Sequence, residues 1–129
     1  MTRYLLDTTA LIDFSKGHEP ASSRIMRMIE GGDEVGVCAV VVAEFYAGLS
    51  PEQRSTWEEF INALRFWEES RDAAKQAGAW RFAFGRKGTP LSTTDLLVAA
   101  VAQEKGAVVV TNNVKDYPMK EVEVLPLKD

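Results

Sequence analysis

The chain has little material for cysteine or histidine chemistry. Its 129 residues include one cysteine, Cys38, and one histidine, His18. A single cysteine cannot form an internal disulfide, and Cys38 lies among apolar residues, so we expect a buried, reduced thiol. A zinc site built on several Cys or His ligands is excluded because the ligands are lacking. A Cys–His catalytic pair would require His18 to fold against Cys38, and no pattern in the sequence favours that contact.

The chain also lacks a basic excess and a long apolar run. Lys and Arg number 15 against 19 Asp and Glu, which gives a formal net charge of −4. This balance argues against a general polyanion binder, although it does not exclude a nuclease whose acidic residues form one cluster. No apolar run approaches the ~20 residues of a membrane helix, and the N-terminus has no basic segment followed by an apolar export signal. We therefore expect a cytoplasmic protein.

What the sequence does contain is an alternation of short apolar strands with helices. Its length and its 46% of apolar residues suit a single domain over residues 1–129 with one core. Strands are predicted at 3–6, 35–38, 107–111 and 122–125, with a break or a short strand at 66–67. The pattern is typical of an α/β domain with a mostly parallel sheet of four to five strands and helices on both faces. The helix-rich segment at about 51–88 is long for one crossover, so we expect a helical arm or clip there.

Four acidic residues stand where strands are predicted to end or where helices carry an unexpected charge. Asp7 follows the first strand, Glu44 interrupts an apolar helix, Asp95 opens a later helix, and Asp116 follows a buried strand. A fold that gathered these carboxylates would have to neutralise them with protons or a cation. Carboxylate oxygens suit hard ions such as Mg²⁺ and Mn²⁺. A divalent-metal site of this kind points to phosphodiester chemistry.

Each acid also has an ordinary structural interpretation. Asp7 can cap a helix, Asp95 with Ser92 resembles a capping box, and Asp116 can form a turn. Glu44 can face solvent, but its helix is apolar nearly all round, and a glutamate in such surroundings is costly unless it is paired or bound to metal. For Asp7 the two interpretations are compatible, because one oxygen can cap the helix while the other binds an ion.

Four segments, in order along the whole chain, resemble those of PIN-domain ribonucleases, most closely the VapC-type toxins of toxin–antitoxin pairs. They are residues 5–13 (LLDTTALID), 41–48 (VVAEFYAG), 94–100 (TDLLVAA) and 110–117 (VTNNVKDY). The resemblance implies a three-layer α/β/α domain and endoribonuclease activity that depends on Mg²⁺ or Mn²⁺. It also implies a homodimer and a small antitoxin partner.

The resemblance assigns catalytic and metal-binding roles to Asp7, Glu44 and Asp95. The fourth acid varies among relatives: some carry it where Asn113 stands, and others have Asn there with an acid three residues later. This chain has the second arrangement, so Asp116 is the candidate and Asn113 its neighbour.

Neighbouring polar and basic residues complete the prediction. Thr8, Thr9, Thr111 and Asn113 are expected to support the acidic residues; position 9 is Thr where relatives often have Asn or Ser, and its hydroxyl can still form hydrogen bonds. Substrate binding needs positive groups near the acidic pocket. Arg86, Lys87 and Lys115 are predicted to contact RNA, with an ordinary solvated basic turn as the alternative for Arg86 and Lys87.

Other functions remain open at this point. A PIN-fold binding module without catalysis, or a PIN nuclease for RNA maturation or for DNA, would share most of these features. A receiver-type phosphoacceptor domain is disfavoured because it needs paired acids at the first strand. A haloacid-dehalogenase-like phosphatase would need a second Asp two residues after Asp7, where the chain has Thr9.

Overall fold

A five-stranded parallel sheet forms the centre of the computed structural model, which describes residues 1–128. The elements in chain order are β1 Arg3–Leu6, α1 Thr8–Ser15, α2 Ala21–Glu30, β2 Glu34–Cys38, α3 Ala39–Ala47, α4 Pro51–Ala63, β3 Arg65–Trp67, α5 Arg71–Arg86, α6 Thr93–Lys105, β4 Val108–Thr111 and β5 Val124–Pro126. A short 3₁₀ turn, Val114–Asp116, follows β4. The predicted α/β class and the sheet of four to five strands are confirmed.

The strand order creates a reversal at the middle of the sheet. The order is β3-β2-β1-β4-β5, and every neighbouring pair is parallel. The chain runs outward from β1 to β2 and β3, then returns through α5 and α6 to the other side of β1. The carboxyl ends of β1 and β4 therefore flank the point where the order reverses, which is where open α/β sheets place their ligand sites.

Helices cover both faces of the sheet. Successive strand residues point to opposite faces, and Leu5 and Leu6 on β1 are both fully buried, as are Val109 and Val110 on β4. Helix α6 is buried on most of its sides because it lies between the sheet and α5. The three-layer arrangement is thus set by strands that are apolar on both faces.

The segment at 51–88, where we expected a helical arm or clip, contains a strand between two helices. Pro51 opens α4, and a capping box formed by Ser50 and Gln53 fixes its start. Helix α4 packs on α1 through Phe60, whose ring stacks on Phe14 with the centroids 4.9 Å apart. Between α4 and α5 the chain forms β3, which pairs with β2 at the edge of the sheet.

Gly36 on β2 makes room for the side chain of its strand neighbour. A Cβ atom at this position would lie 2.6 Å from the ring of Trp67 on β3. The missing side chain allows the indole to cover β2, so close packing requires glycine here.

Candidate active site

Asp7 lies at the carboxyl end of β1 and is almost completely buried, with 3% of its surface exposed. Its backbone N–H donates to the carbonyl of Val110, 3.1 Å away, which fixes it beside the end of β4. One carboxylate oxygen, Oδ1, caps α1 by accepting from the N–H of Ala10 at 3.0 Å and from the hydroxyl of Thr9 at 2.7 Å. The capping interpretation of Asp7 therefore holds in the structure.

The other oxygen of Asp7 faces two hydroxyl groups. Oδ2 accepts from the Thr111 hydroxyl at 2.5 Å and from the Tyr117 hydroxyl at 3.0 Å. Four donors thus converge on one buried carboxylate and replace the water that it gives up on burial.

Thr9 and Thr111 also brace the loop that follows β4. The hydroxyl of Thr9 accepts from the N–H of Asn112 at 3.0 Å, and the hydroxyl of Thr111 accepts from the N–H of Asn113 at 2.9 Å. The two hydroxyl oxygens lie 3.4 Å apart. Both threonines therefore hold the Asp7 carboxylate and the backbone of the loop in one network.

Asp95 lies in the first turn of α6 and is half-buried. Its N–H donates to the hydroxyl of Ser92 at 3.1 Å, and that hydroxyl donates to Asp95 Oδ2 at 2.9 Å. Its other oxygen, Oδ1, lies 3.5 Å from the Tyr117 hydroxyl. The same phenol group therefore lies between Asp7 and Asp95.

Asp7, Glu44 and Asp116 lie near enough to Asp95 for their charges to act on its carboxyl group. Burial raises the pKa of Asp95 above its ordinary value, and the negative charges of Asp116, Asp7 and Glu44 raise it further, against the hydrogen bond from Ser92, which lowers it. The fold gathers the acidic residues that the sequence analysis singled out, although they span most of the chain.

Glu44 is exposed, so the expectation that its apolar helix leaves it poorly solvated is wrong. The buried residues of α3 are Val41 and Phe45, and Glu44 points away from them. Its Oε1 accepts from the hydroxyl of Thr8 at 2.6 Å, which ties it to the start of α1. Its place near Asp95, rather than burial, is what links it to the site.

Asp116 ends the 3₁₀ turn after β4 and is partly buried. Its N–H donates to the carbonyl of Asn113 at 3.0 Å, so the turn interpretation holds for its backbone. Asn113 and Lys115 are exposed in the same turn. Of these residues, Asp116 is the one whose charge acts on Asp95.

Tyr117 was missed by the sequence reasoning. It is buried, with 4% of its surface exposed, and burial together with the charges of Asp7 and Asp95 raises the pKa of its phenol well above the usual range. It is therefore a neutral hydroxyl donor at physiological pH. The available signal was a tyrosine directly after Asp116, since a buried tyrosine usually directs its hydroxyl at a polar partner.

The donor set fits a hard divalent cation in its chemistry. All four acids offer carboxylate oxygens, the ligands that Mg²⁺ and Mn²⁺ prefer, and the charges of the other three add to the burial that raises the pKa of Asp95. Within residues 1–128, however, no group of three or more Asp, Glu, His or Cys side chains is arranged to hold an ion. Hydrogen bonds from hydroxyl groups engage the Asp7 oxygens instead.

Basic residues lie at the end of α5 nearest to Asp95. The hydroxyl of Ser70 donates to Glu104 at 2.5 Å, which places the start of α5 beside the end of α6. The two helices are antiparallel, so Arg86 and Lys87 lie near the start of α6. Both are exposed: the Arg86 guanidinium lies 5.5 Å from the ring centre of Phe82, which is itself 68% exposed. Lys87 also lines a surface cavity with Pro118 and Met119, next to Tyr117.

Cys38 and His18 take no part in this network. Cys38 is buried as predicted, and burial followed by the nearby charge of Glu69 raises the pKa of its thiol to about 12. His18 is exposed in the loop after α1, with Nδ1 at 3.3 Å from the carboxylate of Asp13.

None of the helices in residues 1–128 is both long enough and apolar enough to cross a bilayer.

Comparison with known proteins shows similarity over nearly the whole chain. The family model of the PIN domain matches residues 4–123. A tRNA(fMet)-specific endonuclease VapC from Salmonella typhimurium is 30% identical over 122 residues, which cover 91% of each chain. Ribonuclease VapC19 from Mycobacterium tuberculosis is 29% identical over 117 residues, which cover 89% of this chain and 92% of the relative.

Solved structures agree with the fold. The DNA-bound VapBC complex from Salmonella typhimurium contains a chain that superposes with a TM-score of 0.82 at 27% identity, covering 98% of this chain and 99% of that one. A chain of VapBC2 from Rickettsia felis, bound to a promoter DNA fragment, gives a TM-score of 0.82 at 21% identity, with 97% of this chain and 98% of that chain covered. At that lower identity the match supports the fold alone.

Proposed function

The chain belongs to the PIN domain family, and from that premise we propose that it is a divalent-metal-dependent endoribonuclease acting as the toxin of a toxin–antitoxin pair. The observation that carries the proposal is the meeting of Asp7 and Asp95 around the Tyr117 hydroxyl at the sheet reversal, where the charges of Asp116 and Glu44 also act on Asp95. Relatives named as ribonuclease and as tRNA endonuclease support an RNA substrate.

The proposed roles follow from burial and position. Asp7, which is fixed at the end of β1, and Asp95, in the first turn of α6, are the principal ligands for Mg²⁺ or Mn²⁺. Glu44 is exposed and contributes directly or through water, while Asp116 orients water or holds a second ion. Thr8, Thr9 and Thr111 keep the carboxylates in place through hydrogen bonds at 2.5 to 2.7 Å. Asn113 supports the network through its backbone N–H.

A bound cation supplies Lewis-acid activation of water and charge neutralisation at the phosphoryl oxygens. The chain contributes rigidity, because hydrogen bonds to both oxygens hold the Asp7 carboxylate in a fixed position at the end of β1. Asp95 sits at the positive end of the α6 dipole, which favours negative charge there, including that of a phosphate.

Substrate binding is proposed for the basic residues beside the acids. Arg86 and Lys87, at the end of α5, and Lys115, in the turn after β4, are exposed and free to contact phosphates. Phe82 beneath Arg86 offers an exposed ring for an unpaired base. We favour single-stranded or loop RNA, since its backbone can enter a pocket that a duplex cannot.

Assembly is proposed from the relatives. The VapBC complex from Salmonella typhimurium supports a small antitoxin as partner, and we propose a homodimer. An RNA substrate and a buried, reduced Cys38 support a cytoplasmic place of action.

Substitution of the two principal acids tests the catalytic proposal. Asp7→Asn and Asp95→Asn are expected to lower RNA cleavage by at least about a hundredfold, the size of effect seen when one group that stabilises transition-state charge is removed. The measurement is cleavage of a panel of cellular RNAs by the purified chain with Mg²⁺, with Mn²⁺ or with EDTA, and circular dichroism checks folding.

Asp72→Asn is the matched control, because it removes the same charge from an exposed position at the start of α5. It should cleave as the unsubstituted chain does. Cleavage that persists in EDTA, or that is unchanged in both site variants, would refute the proposed function. A folded chain that binds RNA without cutting it would instead point to the non-catalytic binding module.

A further inference from the structure

We propose that Tyr117 is a positioning residue whose hydroxyl clasps Asp7 and Asp95 in the ion-free protein and competes with a divalent cation for Asp7. The inference rests on the proposed function, because it takes the four-carboxylate site as the place where the cation binds. Tyr117 would then affect two quantities: the affinity of the site for the ion and the stability of the ion-free protein.

The hydroxyl lies between the two carboxylates. Its oxygen is 3.0 Å from Asp7 Oδ2 and 3.5 Å from Asp95 Oδ1. A phenol has one proton to donate, and the shorter distance assigns that proton to Asp7. The proton therefore occupies the space between two negative groups, which is also where a cation bridging them would have its charge.

Asp7 has no spare acceptor position in this arrangement. Its Oδ1 accepts from Ala10 and Thr9, and its Oδ2 accepts from Thr111 and Tyr117. A carboxylate has about four lone-pair sites. Direct binding of a cation to Asp7 thus requires one donor to give way.

Tyr117 is the donor that can be released at least cost. The bond from the Ala10 N–H is the one through which Asp7 caps α1, so its loss would loosen the start of that helix. The hydroxyls of Thr9 and Thr111 also accept from the backbone of Asn112 and Asn113, so loss of either would loosen the loop after β4. Among residues 1–128, the acceptors of the Tyr117 hydroxyl are the two acids themselves. Rotation about the bond between the ring and the oxygen frees Asp7 without moving the buried ring.

Two opposite effects follow from removal of the hydroxyl. The ion-free form loses a hydrogen bond to a buried charge and the proton that offsets the repulsion between Asp7 and Asp95, so it becomes less stable. The ion-bound form loses a competitor, so the cation binds more tightly. A residue with a merely structural role would lower stability without tightening ion binding.

The test compares Tyr117→Phe, which keeps the ring, with Tyr4→Phe, which removes a phenol hydroxyl near the amino end of β1, away from the acids. Calorimetric titration with Mn²⁺ should show roughly five- to tenfold tighter binding to Tyr117→Phe than to the unsubstituted chain, as expected when a hydrogen bond to a charged acceptor no longer competes. Urea unfolding in EDTA should show lower stability for this variant. Tyr4→Phe should leave ion affinity unchanged.

Equal or weaker Mn²⁺ binding by Tyr117→Phe would overturn the proposed competition between the Tyr117 hydroxyl and the cation, but it would not contradict the metal site itself. Absence of saturable Mn²⁺ binding by the unsubstituted chain would overturn both the proposed function and the proposed role of Tyr117.

A second experiment needs no variant. The chain has three tyrosines, and labelling of their Cζ atoms with ¹³C gives one NMR signal for each. Addition of Mg²⁺ should shift the signal of Tyr117 and not that of Tyr4, and an unmoved Tyr117 signal in the Mg²⁺-saturated protein would refute the proposal.

Discussion

At the scale of single residues, Asp7 shows how a helix cap and a ligand position can coincide. One oxygen satisfies the start of α1 and the other faces the site, so the same side chain fixes local structure and presents charge. The carboxylate can be buried because the donors around it replace the water it gives up. The sequence allows Asp7 to cap a helix and to bind an ion at once, and the geometry shows the capping contact directly.

Asp95 makes the stability of the metal-free protein depend on pH. Its pKa is raised above the ordinary 3.8, so the folded chain holds a proton that the unfolded chain has already lost. Stability therefore falls as pH rises from 3.8 through the raised folded pKa, and the loss is complete above that pKa.

Asp95→Asn should remove this loss. In EDTA at neutral pH we expect the variant to be more stable by a few tenths to about 1 kcal/mol, a modest gain because the group is only half-buried and solvent screens its charge. The gain should shrink as pH falls and vanish below about pH 4. Urea unfolding between about pH 4 and pH 8 measures it, with the exposed Asp72→Asn as control. A difference that stays constant with pH would contradict the assignment.

At the scale of elements, the edge of the sheet depends on one close contact. Strand β3 has three residues, and its attachment to β2 is covered by Trp67, whose ring occupies the space above Gly36. A strand this short cannot be held by backbone hydrogen bonds alone, so packing of the indole secures it.

Gly36→Ala should destabilise the protein by about 1–3 kcal/mol, because the new methyl group would meet the Trp67 ring and force it to move. Gly78→Ala is the control, and we expect it to stabilise the protein instead. Gly78 lies in the exposed interior of α5 with nothing within 4 Å of an added Cβ, so alanine should stabilise by about 0.5–1 kcal/mol. Urea unfolding of both variants tests the pair, and equal effects of the same sign would show that the packing argument is wrong.

At the scale of the whole molecule, the chain has no excess of basic residues, but some of its basic residues are grouped. The chain carries a net charge of −4, yet Arg86 and Lys87 lie at the end of α5 that runs towards the start of α6. Attraction to RNA must therefore come from a local basic group whose effect is screened by salt.

The pair Arg86→Ala and Lys87→Ala, made together, should weaken RNA binding about tenfold and lower the slope of log affinity against log salt by about two. Affinity is measured in Ca²⁺, which takes oxygen ligands. The matched control is Arg71→Ala with Lys75→Ala, which removes the same charge from the start of α5. The Ser70–Glu104 hydrogen bond places that end beside the far end of α6, roughly 14 Å along the helix from Asp95. Equal losses in both double variants would exclude a localised RNA contact.

The sequence by itself determined the elements and the identity of the four acids. Apolar alternation, caps such as Ser50 and Ser92, and the glycine after α6 act within a few residues, so their effect can be predicted locally. The predicted strand boundaries accordingly lie close to those observed.

The tertiary structure alone decided how those residues meet. The contacts of Asp7 with Thr111 and Tyr117 join positions 104 and 110 residues apart, and no local pattern encodes a pairing at that separation. Glu44 proved exposed because one narrow face of α3 is buried, a choice made by packing rather than by the composition of the helix. The contacts of Tyr117 arise for the same reason. Its hydroxyl reaches Asp7 and Asp95 only because the fold brings the end of β1, the start of α6 and the segment after β4 together.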